Sequence, residues 1–245
     1  MKNSKEYSKR VNKLFRSLKK RYSGVKKIEY EEPLEALIYG IVSENFTLKQ
    51  TKAALKRFDD YFTDLNDLRV SSTEEIVENL GDDSPDIRET AGKLTALLKA
   101  VFNEYNMVSL AHLHKMGKRS AKKILHKLCS KSYFAVNYCM LTSMDAHSIP
   151  LTVGMINYLR EKELVHPKAD DEDIEGFLTR QIASKDAYKF YIYLRRETER
   201  SRPKTKTRKK KKTTRKTKSK TKTKKKTKTK RKSKKKSKKR KSSKK

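Results

Sequence analysis

The stretch 120–143, SAKKILHKLCSKSYFAVNYCMLTS, predicts two helices joined by a short polar turn. Apolar residues recur at helical spacing over 120–128 and again over about 133–143. A further helix is predicted directly before them, over 109–116, and is stopped by Gly117. Helices connected by turns this short pack closely in sequence order, so the stretch predicts a compact helical chain.

Helical signals continue on both sides of this stretch. Prolines in a first turn or capping boxes mark four helix starts before it, at Pro33, at Thr47 with Gln50, at Ser72 with Glu75 (a helix ended by Gly81), and at Ser84-Pro85. An apolar stripe from Tyr7 to Tyr22 predicts an amphipathic first helix, and three more helices are predicted over 152–162, 171–182 and 185–199. No segment has the convincing period-two alternation of a strand, so the predicted fold class is all-α.

The last part of the chain differs in composition from the rest. Residues 201–245 hold 29 Lys or Arg and 16 Ser, Thr or Pro, without an acid or an apolar side chain. The other 35 Lys or Arg and all 29 acids lie in residues 1–200, so the net charge of this part is +6, whereas the net charge of the whole chain is +35. Ordering a residue costs roughly 1–2 kcal/mol, and no apolar area offsets that cost here, so we expect a folded domain over 1–200 and a disordered basic tail over 201–245.

Such a tail predicts binding to the phosphate backbone of double-stranded DNA, with counterion release. It lacks aromatic residues for stacking on bases, so it predicts no sequence preference. RNA stays open as an alternative partner, because the tail senses phosphate rather than sugar. The candidate contacts in the tail are Lys204, Lys206, Arg208, Lys209, Lys210, Lys211, Lys212, Arg215, Lys224, Lys225, Lys226, Lys234, Lys235 and Lys236.

Several classes of protein are not indicated. No apolar run reaches the length of a membrane span, and the charged N-terminus is unlike a secretory signal. Cys129 and Cys139 supply neither a disulfide framework nor a four-cysteine cluster, and the histidines lack metal-ligand spacing. We therefore expect an intracellular protein without a membrane anchor, metal or cofactor, located in the nucleoid or cytoplasm, or in the nucleus of a eukaryote. Its oligomeric state stays open.

Three segments carry a resemblance to a known family. They are PLEALI and SENFT within 33–47, LCSKSYF over 128–134, and IPLTVGM over 149–155. Together, over roughly 25–195, they resemble the helix-hairpin-helix DNA glycosylases, the endonuclease III-like proteins. The resemblance implies two helical lobes around a cleft, an inner lobe over about 24–143 and a second lobe from about 1–23 with 144–200. It also implies that Asn45 fills the hole left by an extruded base.

The departures from the family pattern decide the functional prediction. The position of the family's nucleophilic Lys holds Phe134, and the position of its catalytic Asp holds Thr152. Base removal needs an amine that attacks the sugar or a carboxylate that supports a cationic centre, and neither Phe nor Thr supplies one. The hairpin glycines are also missing, so Lys127 or Lys131 would have to contact phosphate instead.

The favoured interpretation is a catalytically inactive endonuclease III-like domain in a nucleoid-associated protein that compacts or protects DNA. The alternative is an active base-excision glycosylase or abasic-site lyase with displaced catalytic residues. In that case Lys131 would be the amine and Asp145 the carboxylate. Enzymatic activity is left open, and its absence is favoured.

Overall fold

The computed structural model describes residues 4–129 and 132–201. These residues form helices and no strand, which confirms the all-α class; none of their helices is long and apolar enough to cross a membrane. In order they are α1 (Ser4–Arg21), α2 (Pro33–Asn45), α3 (Leu48–Tyr61), α4 (Leu65–Val70), α5 (Thr73–Leu80), α6 (Pro85–Tyr105), a 3-10 helix (Ala111–Lys115), α7 (Lys118–Leu128), α8 (Tyr133–Thr142), α9 (Val153–Glu161), α10 (Asp171–Gln181) and α11 (Ser184–Ser201).

Local capping explains the predicted helix starts. At α3, the Thr47 hydroxyl accepts from the Gln50 backbone N–H at 3.3 Å, and the Gln50 side chain accepts from the Thr47 N–H at 3.0 Å. The same reciprocal pair, Ser72 with Glu75, begins α5. Gly81 ends α5 with φ of +88°, a left-handed conformation that suits glycine. These predictions are confirmed.

One local prediction is wrong in helix type, and one short helix was not predicted. Residues 109–116 form only a short 3-10 helix over Ala111–Lys115. The residues before it are held by the Glu32 carboxylate, which accepts from the Ser109 hydroxyl at 2.6 Å and from the Leu110 N–H at 2.7 Å. Helix α4 was not predicted, because its six residues bury only Leu68 and are too few for a periodic pattern.

The buried side chains form two hydrophobic clusters. One lies within residues 34–144 and contains the inner faces of α2 to α8; the other joins α1 to α9, α10 and α11. Helix α8 contributes to both clusters and is buried from Phe134 to Thr142. It packs closely on α2, since a Cβ at Gly40 would lie 2.6 Å from the Ala135 Cα. α8 is therefore the wall that the two clusters share.

A buried carboxylate links the first helix to the last. Glu197 on α11 accepts from Arg21 at 2.6 Å, from the Tyr22 hydroxyl at 2.9 Å and from Arg200 at 3.1 Å. Burial acts to raise the pKa of Glu197, but the three hydrogen bonds together outweigh it and hold the pKa below its ordinary value. The ends of the domain are thus joined through a charged contact.

Candidate nucleic-acid interface and the cavity beside it

A basic surface covers α7 and the turn before it. Residues 105–144 contain no Asp or Glu, so cations in this stretch have few acidic neighbours in sequence. We call this surface the basic hairpin face, and its members among the described residues are Lys115, Lys118, Arg119, Lys122, Lys123 and Lys127. All are exposed except Lys122, which is half-buried. Exposed cations on one helix are suited to contact phosphate.

The members of the basic hairpin face differ in how far they are neutralised. Lys127 forms an ion pair with Glu104 at 2.9 Å, and Lys118 donates to the Asp145 carbonyl oxygen. Arg119 and Lys123 lie four residues apart on α7, and neither has an ion-pair partner among the described residues. Lys115 is also exposed and unpaired among the described residues, but Arg119 and Lys123 share one face of α7, so they are the best-placed pair to receive phosphate.

Sequence reasoning found only part of this surface. Lys127 lies on it, whereas Lys131 and all of the tail cations fall outside the described residues. The other five members were missed, although the acid-free run over 105–144 was visible in the sequence. That run is the signal that would have identified them.

A cavity of about 520 Å³ lies beside the start of α8. Its apolar wall includes Phe134, Ile149 and Ile156. We call it the acidic cavity, because five carboxylates line it and no Lys or Arg of the described residues does: Glu44, Asp170, Asp171, Glu172 and Glu175. The cavity therefore has the opposite charge to the basic hairpin face.

Of the two positions equated with catalytic residues, Phe134 lines this cavity, whereas Thr152 does not and is only flanked in sequence by the lining residues Leu151 and Val153. Phe134 is 2% exposed; its ring lines the cavity and lies 6.2 Å from the ring of Tyr138. Thr152 is buried between two residues that line the cavity, and its hydroxyl accepts from the Met155 N–H at 3.4 Å, which caps α9. A phenyl ring and a capping hydroxyl provide neither a nucleophile nor a carboxylate. That they occupy the family's catalytic positions stays a prediction.

The surrogate carboxylate lies elsewhere. Asp145 does not line the acidic cavity but a different one, together with Val25 and Leu141. Its side chain is largely exposed and pairs with Lys27 at 2.9 Å, and this hydrogen bond and charge lower the pKa of Asp145. The structure therefore places Asp145 away from Phe134, while the proposed amine, Lys131, is outside the described residues.

Asn45 follows Glu44, which lines the acidic cavity, but is not itself part of the cavity lining. It is exposed as the last residue of α2, and its side-chain amide donates to the Thr90 hydroxyl at 3.2 Å. Its role as an inserted wedge stays a prediction.

The structure adds a polar pair that sequence reasoning missed. Glu175 accepts from the Asn137 side-chain N–H at 2.7 Å and from the Ser148 hydroxyl at 3.0 Å. Asn137 is 3% exposed, and its Oδ1 has no hydrogen-bond partner. The available signal was an Asn inside the apolar run FAVNYCML of α8, where a buried amide requires partners.

Other groups near the cavity are held by local contacts. The Tyr133 hydroxyl donates to Glu172, and this hydrogen bond raises the pKa of Tyr133 to about 12.

Cys129 and Cys139 are buried free thiols, and burial raises the pKa of Cys129 to about 12. Within 4–129 and 132–201, no group of three His, Cys, Asp or Glu side chains is arranged to hold a metal ion.

Comparisons with known proteins identify the fold. No family model and no curated protein matches the sequence. Among solved structures, an endonuclease III–DNA complex matches with a TM-score of 0.60 and 14% identity, over 77% of this chain and 84% of that one. The Clostridium acetobutylicum 8-oxoguanine glycosylase/lyase bound to double-stranded DNA matches with a TM-score of 0.61 and 14% identity, over 81% and 71%. The 3-methyladenine DNA glycosylase of H. pylori matches with a TM-score of 0.57 and 13% identity, over 82% of this chain and 99% of that one.

These matches confirm the predicted endonuclease III-like, helix-hairpin-helix glycosylase fold. At 13–14% identity they establish the fold, and the residues of this chain must carry the functional argument.

Proposed function

We propose that this protein is a non-sequence-specific, nucleoid-associated DNA-binding protein built on a catalytically inactive endonuclease III-like domain, and that it compacts or protects DNA. The observation that carries the proposal is the basic hairpin face, a cationic surface from a stretch of sequence without acids, on a fold whose solved examples include DNA complexes. The two hydrophobic clusters are proposed to be the two lobes of that fold.

Phosphate contacts would supply the affinity. Each phosphate that a cation neutralises contributes about −0.9 to the slope of log K against log salt. Arg119 and Lys123 offer two such contacts on the domain, and the 45 residues after Arg200 offer 29 further cations in sequence. Neither set brings an aromatic side chain to the bases, so the binding would depend on salt and very little on sequence.

Inactivity is proposed from the two positions that the resemblance equates with catalytic residues. They hold Phe134, which lines the acidic cavity, and Thr152, which caps α9, where an active glycosylase would need an amine or a carboxylate. Without either group, bound DNA would be held and not cut.

The test compares the full chain with a chain that ends at Pro203. The described residues belong to one compact unit with its own two hydrophobic clusters, so the shorter chain should fold. Duplex affinity is measured against salt, and nicking of an abasic duplex is assayed in the same tubes. We expect the shorter chain to bind more weakly with a shallower slope, and neither chain to nick. Equal slopes for the two chains would contradict a role for the tail in DNA binding.

Matched double variants test the domain's own contribution in the shorter chain. Arg119→Ala with Lys123→Ala should make the salt slope shallower by about 2, since each lost phosphate contact changes it by about 1. Lys52→Ala with Lys56→Ala is the control: it removes two exposed cations at the same four-residue spacing on α3. Identical slopes for the two double variants would locate DNA binding away from the basic hairpin face.

The alternative function is base excision by displaced residues. It is favoured by Glu175, a carboxylate held in the same cavity as Phe134 and of the type that can support a cationic sugar centre. Base release, together with borohydride trapping on oxidised-base and abasic duplexes, decides between the two functions. If the parent chain releases a base and the Glu175→Gln variant does not, the protein is a glycosylase and the proposal of inactivity is wrong. A competition between duplex DNA and structured RNA identifies the preferred nucleic acid.

A further inference from the structure

We propose that the acidic cavity binds a ligand carrying alkylammonium groups, either a free linear polyamine or a lysine side chain. The inference concerns the cavity alone and does not depend on DNA binding. It rests on an unpaired charge, an unpartnered buried acceptor and the shape of the walls.

The charge of the cavity is only partly balanced. Among its five carboxylates, Glu44 pairs with Lys93 at 3.2 Å and Asp171 pairs with Arg160 at 3.1 Å. The other three, Asp170, Glu172 and Glu175, have no ion-pair partner within the described parts of the chain; hydrogen bonds from neutral donors hold them instead. Glu172 and Glu175 also line a second pocket that contains Lys122 and Arg180, so part of their charge is offset beyond ion-pair distance. A bound cation would relieve the repulsion that remains among the three carboxylates.

Asn137 independently indicates a hydrogen-bond donor as the ligand. Its Nδ2 must face Glu175, because a carboxylate oxygen 2.7 Å away needs a donor. This fixes the amide orientation and leaves Oδ1, an acceptor, without a partner on a side chain that is 3% exposed and lines the cavity. A buried acceptor without a donor is unfavourable. An ammonium group carries three donors and no acceptor, so it suits the carboxylates, and it would also serve Oδ1 after a turn of the Asn137 side chain, because Oδ1 itself is inaccessible from the cavity.

The size and walls of the cavity suit an organic cation. A volume of about 520 Å³ is in the range of small-molecule sites and much larger than a bare ion requires. Phe134, Ile149 and Ile156 offer apolar surface to methylene groups, and the carboxylates offer acceptors to ammonium groups. The lining therefore contains partners for both parts of an alkylammonium chain.

Calorimetric titration of the full chain without DNA tests the proposal. The probes are spermidine and N-acetyl-lysine-N′-methylamide, and magnesium chloride serves as a cation without an alkyl chain. Because the chain carries +35 overall, non-specific attraction of cations is weak and saturable binding reports the local site. We expect at least one probe to bind at a single site. Magnesium, added at the same concentration of positive charge as the probe, should not displace the bound probe. Spermidine binding alone would assign a polyamine, and binding of the lysine probe would assign lysine side chains.

Two carboxylate variants and one control locate the site. Glu175→Gln keeps the shape of the side chain and should weaken binding about tenfold or more, since it removes a charge-assisted hydrogen bond. Glu172→Gln, on the exposed first turn of α10, should weaken it several-fold without affecting folding. Glu161→Gln, an exposed residue of α9 outside the cavity, should bind within about twofold of the parent chain. The proposal is overturned if neither probe saturates, if magnesium competes as well as spermidine, or if all three variants bind alike.

Discussion

Replacing Gly40 by Ala should strongly destabilise the domain, because α2 and α8 cross there almost in backbone contact. A Cβ at Gly40 would lie 2.6 Å from the Ala135 Cα and 2.8 Å from its Cβ. A rotamer change cannot move a backbone atom, so the two helices must separate. Overpacking of this kind costs roughly 1–3 kcal/mol, and we take the upper end, about 3 kcal/mol, because the contact is with the main chain. Alanine's better helix propensity returns about 1 kcal/mol, which leaves a net loss of about 2 kcal/mol.

Urea unfolding of the full chain, followed by circular dichroism, measures the effect. The control is Gly92→Ala on the exposed face of α6, where an added Cβ meets nothing within 4 Å. In that variant alanine also has a better helix propensity than glycine and no clash opposes it, so the domain should be stabilised by about 0.5–1 kcal/mol. The midpoints of the two variants should therefore differ by about 3 kcal/mol divided by the m-value.

The double variant Gly40→Ala with Ala135→Gly should recover only part of the loss, since it removes the contact at 2.8 Å and leaves the one at 2.6 Å. Equal midpoints for Gly40→Ala and Gly92→Ala would refute the close crossing. They would also remove the reason for treating α8, which carries Phe134 and Asn137 into the acidic cavity, as rigidly placed against α2.

Three further predictions concern stability, each measured by the same urea unfolding. Glu197→Gln should cost roughly 1–2 kcal/mol at pH 7, because it weakens charge-assisted hydrogen bonds. The folded pKa of Glu197 lies below its unfolded value of about 4.3, so its stabilising contribution is fully present above pH 4.3. The stability difference between the variant and the parent chain should vanish as the pH falls through the folded pKa. Gly81→Ala should cost about 1–2 kcal/mol for the left-handed φ of +88°, and its Cβ would lie 2.8 Å from Nη2 of Arg57, whose bonds to the end of α5 would weaken. Thr47→Ala should cost about 1 kcal/mol by removing the capping box of α3. An unchanged midpoint in any of the three would contradict the corresponding contact.

The helix starts were predictable because capping acts between residues three apart. Thr47 with Gln50 and Ser72 with Glu75 form the same bonds that their spacing predicted. The region 109–116 was predicted as a helix of the ordinary kind and forms only a 3-10 helix, next to residues that Glu32, far away in sequence, holds by hydrogen bonds. Local pattern therefore predicts contacts between near neighbours and does not show contacts from a distant segment.

The acidic cavity was not predictable from any local pattern. Glu44 lies in the last turn of α2, Asn137 on α8 and Glu175 on α10, so the three meet only through tertiary packing. The sequence marks Asn137 as unusual within an apolar run, but it does not indicate which residues surround it. The basic hairpin face is different, because its members come from one continuous acid-free stretch. Its charge was legible in the sequence, and only the exposure of individual side chains needed the structure.

The opposite charges of the two surfaces constrain how the domain would hold DNA. A phosphate is attracted by Arg119 and Lys123 and repelled by the unpaired carboxylates of the acidic cavity. A nucleotide extruded into the cavity would carry its phosphates towards those carboxylates, whereas an intact duplex lying along α7 keeps them on the basic side. If an alkylammonium ligand fills the cavity, it neutralises the repulsion and should favour bound DNA. By linkage, bound DNA must then strengthen ligand binding by the same factor. A domain that grips intact duplex needs no catalytic group in the cavity, and this is consistent with a phenyl ring at position 134.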